Sequence, residues 1–380
     1  MKVAIVHDWL VGMRGGEKCL EVLCLMYPEA DIFTLIHNRE EISPQINSHN
    51  IFPSKLQKLP GVRKFYRYLL PFMPLVAKEL SAKLGDYDLV ISISHCFAKN
   101  IRVPEGVPHI CYCLSPMRYI WDQYDSYFKG RSIEPLVRPI AGMLRKWDRG
   151  AEGVTRLVAI SEFVQRRIQR CYGLESEVIY PPVDCAAFGS EALKKAEKKD
   201  NFLVVNALVP YKNTHVVVEA FRELDLPLVV VGRGPEASRI HQLAGPRTSF
   251  KSFVSEQELR MLYRTSRAMV FAAEEDFGIT PVENQAAGRP VIALGKGGAL
   301  ETVEDSRSGL FFEEVSVGQV KAAVKRFVAN ESQFEEKDCV NNAAKFSLSR
   351  FQRDFSELVD QVISQKSKSD MTLSKLAEGA

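Results

Sequence analysis

Short apolar, β-branched runs alternate with stretches of helical spacing along nearly the whole chain, and this alternation restricts the fold more than any other feature. The runs are KVAIVH (2–7), DIFTLI (31–36), DLVISIS (88–94), HICYC (109–113), RLVAIS (156–161) and EVIYP (177–181). A second series follows: NFLVVNAL (201–208), LPLVVVG (226–232), TSFKSFV (248–254), RAMVFAA (267–273), PVIAL (290–294) and GLFF (309–312). They show little polar alternation, so both faces of each strand are expected to be covered. Strands covered on both faces and separated by helices form parallel sheets. The expected fold is therefore α/β, with two Rossmann-like domains.

The segment DCAAFGSEALKKAEKKD (184–200) is polar and charge-rich and reads as a linker. The domains are then 1–183 and 201–345. Residues 346–364 carry Phe351, Phe355, Leu358 and Val362 at helical spacing and read as an amphipathic packing helix. The Lys/Ser-rich end, 365–380, reads as a disordered tail. No run of 18 apolar residues occurs, so no spanning helix is expected. The first apolar run is short and meets His7 and Asp8, which suits a buried strand rather than a signal peptide. Eight cysteines without a CxxC pair fit a reducing, cytoplasmic setting.

Charge is uneven. Residues 1–180 hold 24 Lys/Arg against 19 Asp/Glu, and residues 181–380 hold 26 against 28. The basic excess is densest in SKLQKLPGVRKFYRYLLPFMP (54–74), where Lys55, Lys58, Arg63, Lys64 and Arg67 stand among aromatics with no acid. That composition suits the surface of an anionic membrane. It equally suits a solvated loop whose aromatics pack on their own domain. No nucleic-acid module accompanies it, so nucleic acid is not an expected partner.

In open α/β sheets ligands sit at the carboxyl ends of the strands, so the strand-to-helix turns carry the chemistry. HDWLVGMRGGEK (7–18) follows the first strand, with Gly15 and Gly16 ahead of a helix expected to begin near Glu17. It fits an anion site or a plain tight turn, and it lacks the dinucleotide fingerprint GxGxxG. NALVPYKN (206–213) puts Lys212 near a helix start, as a phosphate contact or a solvated lysine. VVGRGPE (230–236) puts Arg233 between two glycines. EEDFGITPVENQAAG (274–288) follows RAMVFAA; Glu275 falls on the turn and Glu283 in the first helical turn, with Gly278, Ile279 and Thr280 between. Such a turn offers amides to a diphosphate and carboxylates to sugar hydroxyls. For Glu283 taken alone, complementing the helix dipole is the better explanation.

Taken together and in this order, RGGEK, PYK, GRGPE, EEDFGITPVE and GKGGALETV (295–303) resemble family 4 of the retaining GT-B glycosyltransferases. HDWLVGMRGGEK, SPMRYIWD (115–122) and VIYPPVD (178–184) are similar to its branch of bacterial O-antigen and exopolysaccharide mannosyltransferases. The resemblance covers roughly residues 1–330. It implies two domains facing across a cleft, with the first on the acceptor side and the second binding the donor nucleotide. It implies that Glu275 contacts the donor sugar, Glu283 the ribose and Lys212 the diphosphate. Gly15 and Gly16 would approach donor phosphate and acceptor, and Gly278 and Ile279 would meet the phosphate or sugar. Where members often carry an arginine five residues before the lysine, this chain has Ala207, and Arg233 is the candidate substitute. Where they often carry a histidine after the HICYC-type strand, it has Leu114, with His95 one strand earlier as the candidate.

The expected function is transfer of a hexose, mannose from GDP-mannose, to a lipid-linked glycan in cell-surface polysaccharide synthesis. The enzyme would work in the cytoplasm, peripherally on the inner face of the membrane, with no metal or other cofactor. A UDP-hexose donor, or a catalytically weak sugar-nucleotide-binding partner in an assembly complex, are the alternatives.

Overall fold

The structure, a computed structural model, describes residues 1–151, 153–189, 193 and 195–378; the side chains of 126, 127 and 367–378 lie outside the description. The chain divides into two compact units, Met1–Tyr180 with Phe351–Ala380, and Pro181–Arg350.

The first unit holds a seven-stranded sheet. Its strands are β1 (Val3–His7), β2 (Asp31–Thr34), β3 (Ile51–Pro53), β4 (Leu89–Ser94), β5 (His109–Cys113), β6 (Arg156–Ala159) and β7 (Glu177–Val178). Their order is β3-β2-β1-β4-β5-β6-β7, and each pairing is parallel. Every residue of β1, β4 and β5 is buried, as unbroken apolar runs require of strands covered on both faces. Edge strand β3 has no counterpart among the runs read from the sequence. It is three residues long and ends in Pro53, and proline is tolerated only where a ladder donor is dispensable.

The second unit holds a six-stranded sheet: β8 (Phe202–Val205), β9 (Leu228–Val231), β10 (Thr248–Lys251), β11 (Met269–Phe271), β12 (Val291–Leu294) and β13 (Gly309–Phe312). Its order is β10-β9-β8-β11-β12-β13, again parallel. Successive residues point to opposite faces. Phe202 and Val204 therefore join one core cluster, while Leu203 and Val205 join the other.

Two expectations need correction. The stretch 184–200 is not a free tether. Phe188 packs edge-on against Tyr263, Leu193 is buried, and the Lys199 N–H donates to Thr265, so the segment lies on the second unit. Its apolar residues outweigh its charge; 190–192 and 194 lie outside the described residues. The C-terminal helix runs Leu348–Glu378, through most of the supposed tail. Lys, Gln, Leu, Ala and Glu are good helix formers, and no glycine or proline interrupts them before Gly379. Phe351 and Phe355 of this helix stack edge-on against Tyr112 of β5, which returns the chain to the first unit.

Among the described residues, no helix is long and apolar enough to cross a membrane.

Candidate functional site

Each sheet has one point where the strand order reverses. In the first unit it lies between β1 and β4, and in the second between β8 and β11. At such a point two successive crossovers leave in opposite directions, which opens a crevice at the strands' carboxyl ends. Of the four turns singled out in the sequence, those after β1, β8 and β11 fall at these two points, and the one after β9, bearing Arg233, lies one strand away.

In the second unit the turn after β8 carries Lys212 and the turn after β11 carries Glu275. Adjacent strands bring them together as an ion pair, with side chains 14% and 18% exposed. Asn213, in the left-handed region at φ 55°, donates through Nδ2 to the Ala272 carbonyl (2.9 Å) and ties the two turns. The stretch after β12 locks the second turn from behind. The Gly298 N–H donates to the Glu275 carbonyl (2.8 Å), and a Cβ on Gly298 would stand 2.4 Å from the Phe277 Cα. Only glycine permits that approach, which explains the GKGG sequence physically.

Gly278 (φ 95°) opens the helix Ile279–Ala286. Glu283 is its fifth residue, two residues further in than expected. Dipole complementation in the first turn is therefore not its role. Its Oε2 accepts a hydrogen bond from the buried Tyr263 hydroxyl (2.8 Å), which fixes the carboxylate's orientation. Arg233 is exposed on the turn after β9, and its carbonyl accepts from the Leu208 N–H (3.0 Å), so it neighbours the turn bearing Lys212. The structure thus joins Lys212 directly to Glu275, while Ile279, Thr280 and Glu283 follow on the adjoining helix. No sequence signal pointed to Asn213 or Tyr263, because each acts through a contact distant in sequence.

In the first unit the turn after β1 meets the turn after β4 through Asp8. Its carboxylate accepts from the backbone N–H groups of His95 (2.6 Å), Phe97 (2.7 Å) and Ala98 (2.8 Å). His95 Nδ1 is 3.1 Å from Asp8 Oδ2, and the His95 ring stands edge-on to Trp9. Asp8 was read only as the end of a strand; the structure makes it the organising acceptor of this turn.

The helix Gly15–Met26 starts two residues earlier than expected, so Gly15 and Gly16 form its first turn. A Cβ on Gly16 would lie 2.7 Å from Leu114 Cδ1 and 3.5 Å from His7 Nε2. Leu114 therefore backs the glycine turn. Among the described residues, no three His, Cys, Asp or Glu side chains converge with metal-holding geometry.

Burial shapes the charges here. Burial pushes the Glu17 carboxyl up to about 7, against the pull of backbone N–H groups and Arg14. Burial also pulls His7 down to about 4, with Asp8 opposing. Glu17 thus binds a proton in the folded chain where the unfolded chain has lost it. Its contribution to stability is complete below about 4.5 and lost as pH rises through about 7. His7 works in the opposite sense: its contribution is present above about 6.5 and lost as pH falls towards about 4. The Glu17→Gln protein keeps an acceptor for the Arg14 N–H and never ionises. Its melting temperature relative to the parent should rise from pH 5 to pH 8, by the equivalent of about 1–3 kcal/mol. A difference that stays flat across that range would show that Glu17 does not titrate there.

The basic stretch 54–74 divides between two roles. Tyr66 and Leu69 are buried, and Phe65 and Leu70 pack on the same core, with Tyr66 edge-on to Trp9. Tyr68 and Phe72 remain exposed, as do the five cations.

Comparison with known proteins agrees with this architecture. The family described as Glycosyltransferase Family 4 matches residues 28–187, and Glycosyl transferases group 1 matches residues 188–346. The O-antigen chain mannosyltransferase RfbU of Salmonella typhimurium is 31% identical over 36% of this chain and 41% of its own. A GDP-mannose-dependent alpha-(1-6)-phosphatidylinositol monomannoside mannosyltransferase of Mycobacterium tuberculosis is 30% identical over 51% and 56%. The chain thus spans about two fifths to just over half of these relatives' lengths. The crystal structure of Anabaena HepE with UDP and glucose superposes with a TM-score of 0.73 at 15% identity, covering 95% of this chain and 99% of that one. That likeness concerns the fold. With both halves matched in order and two parallel sheets of this topology, the chain belongs to family 4 of the GT-B glycosyltransferases.

Proposed function

We propose that this protein transfers a hexose, mannose from GDP-mannose, with retained configuration, to a hydroxyl of a lipid-linked glycan in cell-surface polysaccharide synthesis. A UDP-hexose is the alternative donor. No cofactor enters this reading. The enzyme works in the cytoplasm, peripherally on the inner face of the membrane.

The observation that carries the reading is the Lys212–Glu275 pair at the switch point of the second unit. A donor diphosphate presents the charge that Lys212 lacks once Glu275 turns away, and Glu275 then meets sugar hydroxyls. Arg233 and the amides of Gly278, Ile279 and Thr280 add donors to the leaving diphosphate, where negative charge grows during transfer. Glu283, held by Tyr263, suits a ribose diol. The two mannosyltransferase relatives support the choice of sugar.

Titration calorimetry with GDP-mannose and with a UDP-hexose tests the reading. In Lys212→Ala the preferred donor should bind more weakly by about 1.5–3 kcal/mol, as for a lost hydrogen bond to a charged group. Unchanged affinity would return Lys212 to a structural ion pair. Ala207 and Leu114, which replace an arginine and a histidine common among relatives, favour a second reading: a protein that binds the donor without turning it over. Release of free hexose or of extended glycolipid by purified protein with membranes separates the two.

A further inference from the structure

The helix Glu134–Asp148 carries an apolar face that it does not bury. Its inward side is secured: Ala141 and Leu144 enter the core, and buried Lys99 donates to the carbonyls of Asp148 and Gly150. The Asp148 carboxylate accepts from Trp121 Nε1 (2.8 Å) and the Tyr172 hydroxyl (2.9 Å). The helix therefore cannot roll. On its other side Leu136, Ile140 and Met143 recur at i, i+4 and i+7 and are 73%, 38% and 54% exposed. Ile133, just before the first turn, is 48% exposed.

Arg131, Arg138 and Lys146 are exposed along the same stretch. Its only acids are turned elsewhere: Asp148 is buried, and the half-buried Glu134 accepts from the Gly130 N–H. A second apolar and basic surface lies over the same core cluster. Tyr68, Phe72 and Leu75 are exposed beside Arg63, Lys64 and Arg67, while Tyr66, Leu69 and Met73 of that segment pack into the cluster that holds Ala141 and Leu144.

We propose that the outer face of Glu134–Asp148 lies in the headgroup layer of an anionic bilayer, as an apolar anchor added to the exposed Tyr68 and Phe72 of the basic segment 54–74. The proposal rests on the reading of the protein as a peripheral membrane enzyme. An apolar stripe flanked by cations and free of exposed acid is the surface chemistry such a layer accepts. A second copy of the chain fits poorly, because a two-fold contact sets each patch against itself and brings Arg138 and Lys146 against like charges.

Sedimentation with phosphatidylglycerol vesicles, and with phosphatidylcholine vesicles as the neutral control, tests it. The Leu136→Ser/Ile140→Ser/Met143→Ser protein alters only exposed side chains. Its partitioning onto phosphatidylglycerol should fall at least about tenfold, at 0.1 M and at 1 M salt. A variant with Lys55, Lys58, Arg63, Lys64 and Arg67 replaced by Gln should lose binding chiefly at low salt, where screening is weak. In Ile140→Trp, tryptophan emission should move to the blue on adding the anionic vesicles. Three results overturn the proposal: the triple variant sedimenting like the parent, an unmoved Ile140→Trp spectrum, or a parent dimer that the triple variant turns into a monomer. Calorimetry with nucleotide sugars separates this from the transferase reading. A parent that binds vesicles but no nucleotide sugar overturns the transferase and leaves the membrane surface standing.

Discussion

Glu275→Ala is expected to reduce transfer by more than about a hundredfold, the scale of losing one preorganised charged group at a reacting centre, while nucleoside diphosphate binding holds or tightens. The split follows from the ion pair. In the structure Glu275 neutralises Lys212, with both side chains more than four-fifths buried. An arriving diphosphate competes with that carboxylate for the ammonium. Removing the carboxylate removes the competitor, so Lys212 meets the diphosphate at lower cost. The sugar then lacks the acceptor that orients its hydroxyls, and turnover falls. Calorimetry with the bare nucleoside diphosphate, alongside a transfer assay, reads the two effects separately. A variant that loses both diphosphate affinity and transfer would show that Glu275 holds the turn in shape. A variant that keeps normal transfer removes Glu275 from the chemistry.

The same pair shows what the sequence did and did not make legible. All twelve apolar runs became strands, since continuous burial leaves a composition that short windows reveal. Lys212 and Glu275 were readable as turn residues, because each closely follows a strand. Their contact was not readable. It depends on β11 pairing with β8 although β9 and β10 intervene in the chain, and strand order is a tertiary choice. Glu283 illustrates a smaller limit. A start at Ile279 rather than two residues later, near Pro281, moves it out of the first helical turn, and element ends are where local signals are weakest. The linker at 184–200 misled for a different reason. Its lysines and glutamates dominate the composition, while Phe188 and Leu193, two residues among seventeen, decide where it lies.

Asp8 was read only as the end of the first strand, yet its removal should cost the most stability. The carboxylate is fully enclosed and accepts three backbone N–H bonds from the turn after β4. Burial pushes its pKa up, and those N–H groups draw it back down. Asp8→Ala leaves three amide donors without their buried acceptor. A buried donor left without its acceptor costs about 1–3 kcal/mol, so losing the acceptor shared by three is expected to cost about 3–5 kcal/mol. For a unit of this size that corresponds to a melting temperature lower by roughly 6–20 °C. His95→Ala is the matched control: it deletes the imidazole beside Asp8 but keeps its own backbone N–H and the other two. Its cost should stay near about 1–2 kcal/mol, the loss of one contact and some packing on Trp9. If the two variants melt together, the imidazole rather than the amide cluster holds the turn. If Asp8→Ala melts with the parent, the β1 and β4 turns are fixed by the sheet alone. Between those outcomes lies the expected one, in which one carboxylate shapes the switch point of the first unit as Lys212 and Glu275 shape that of the second.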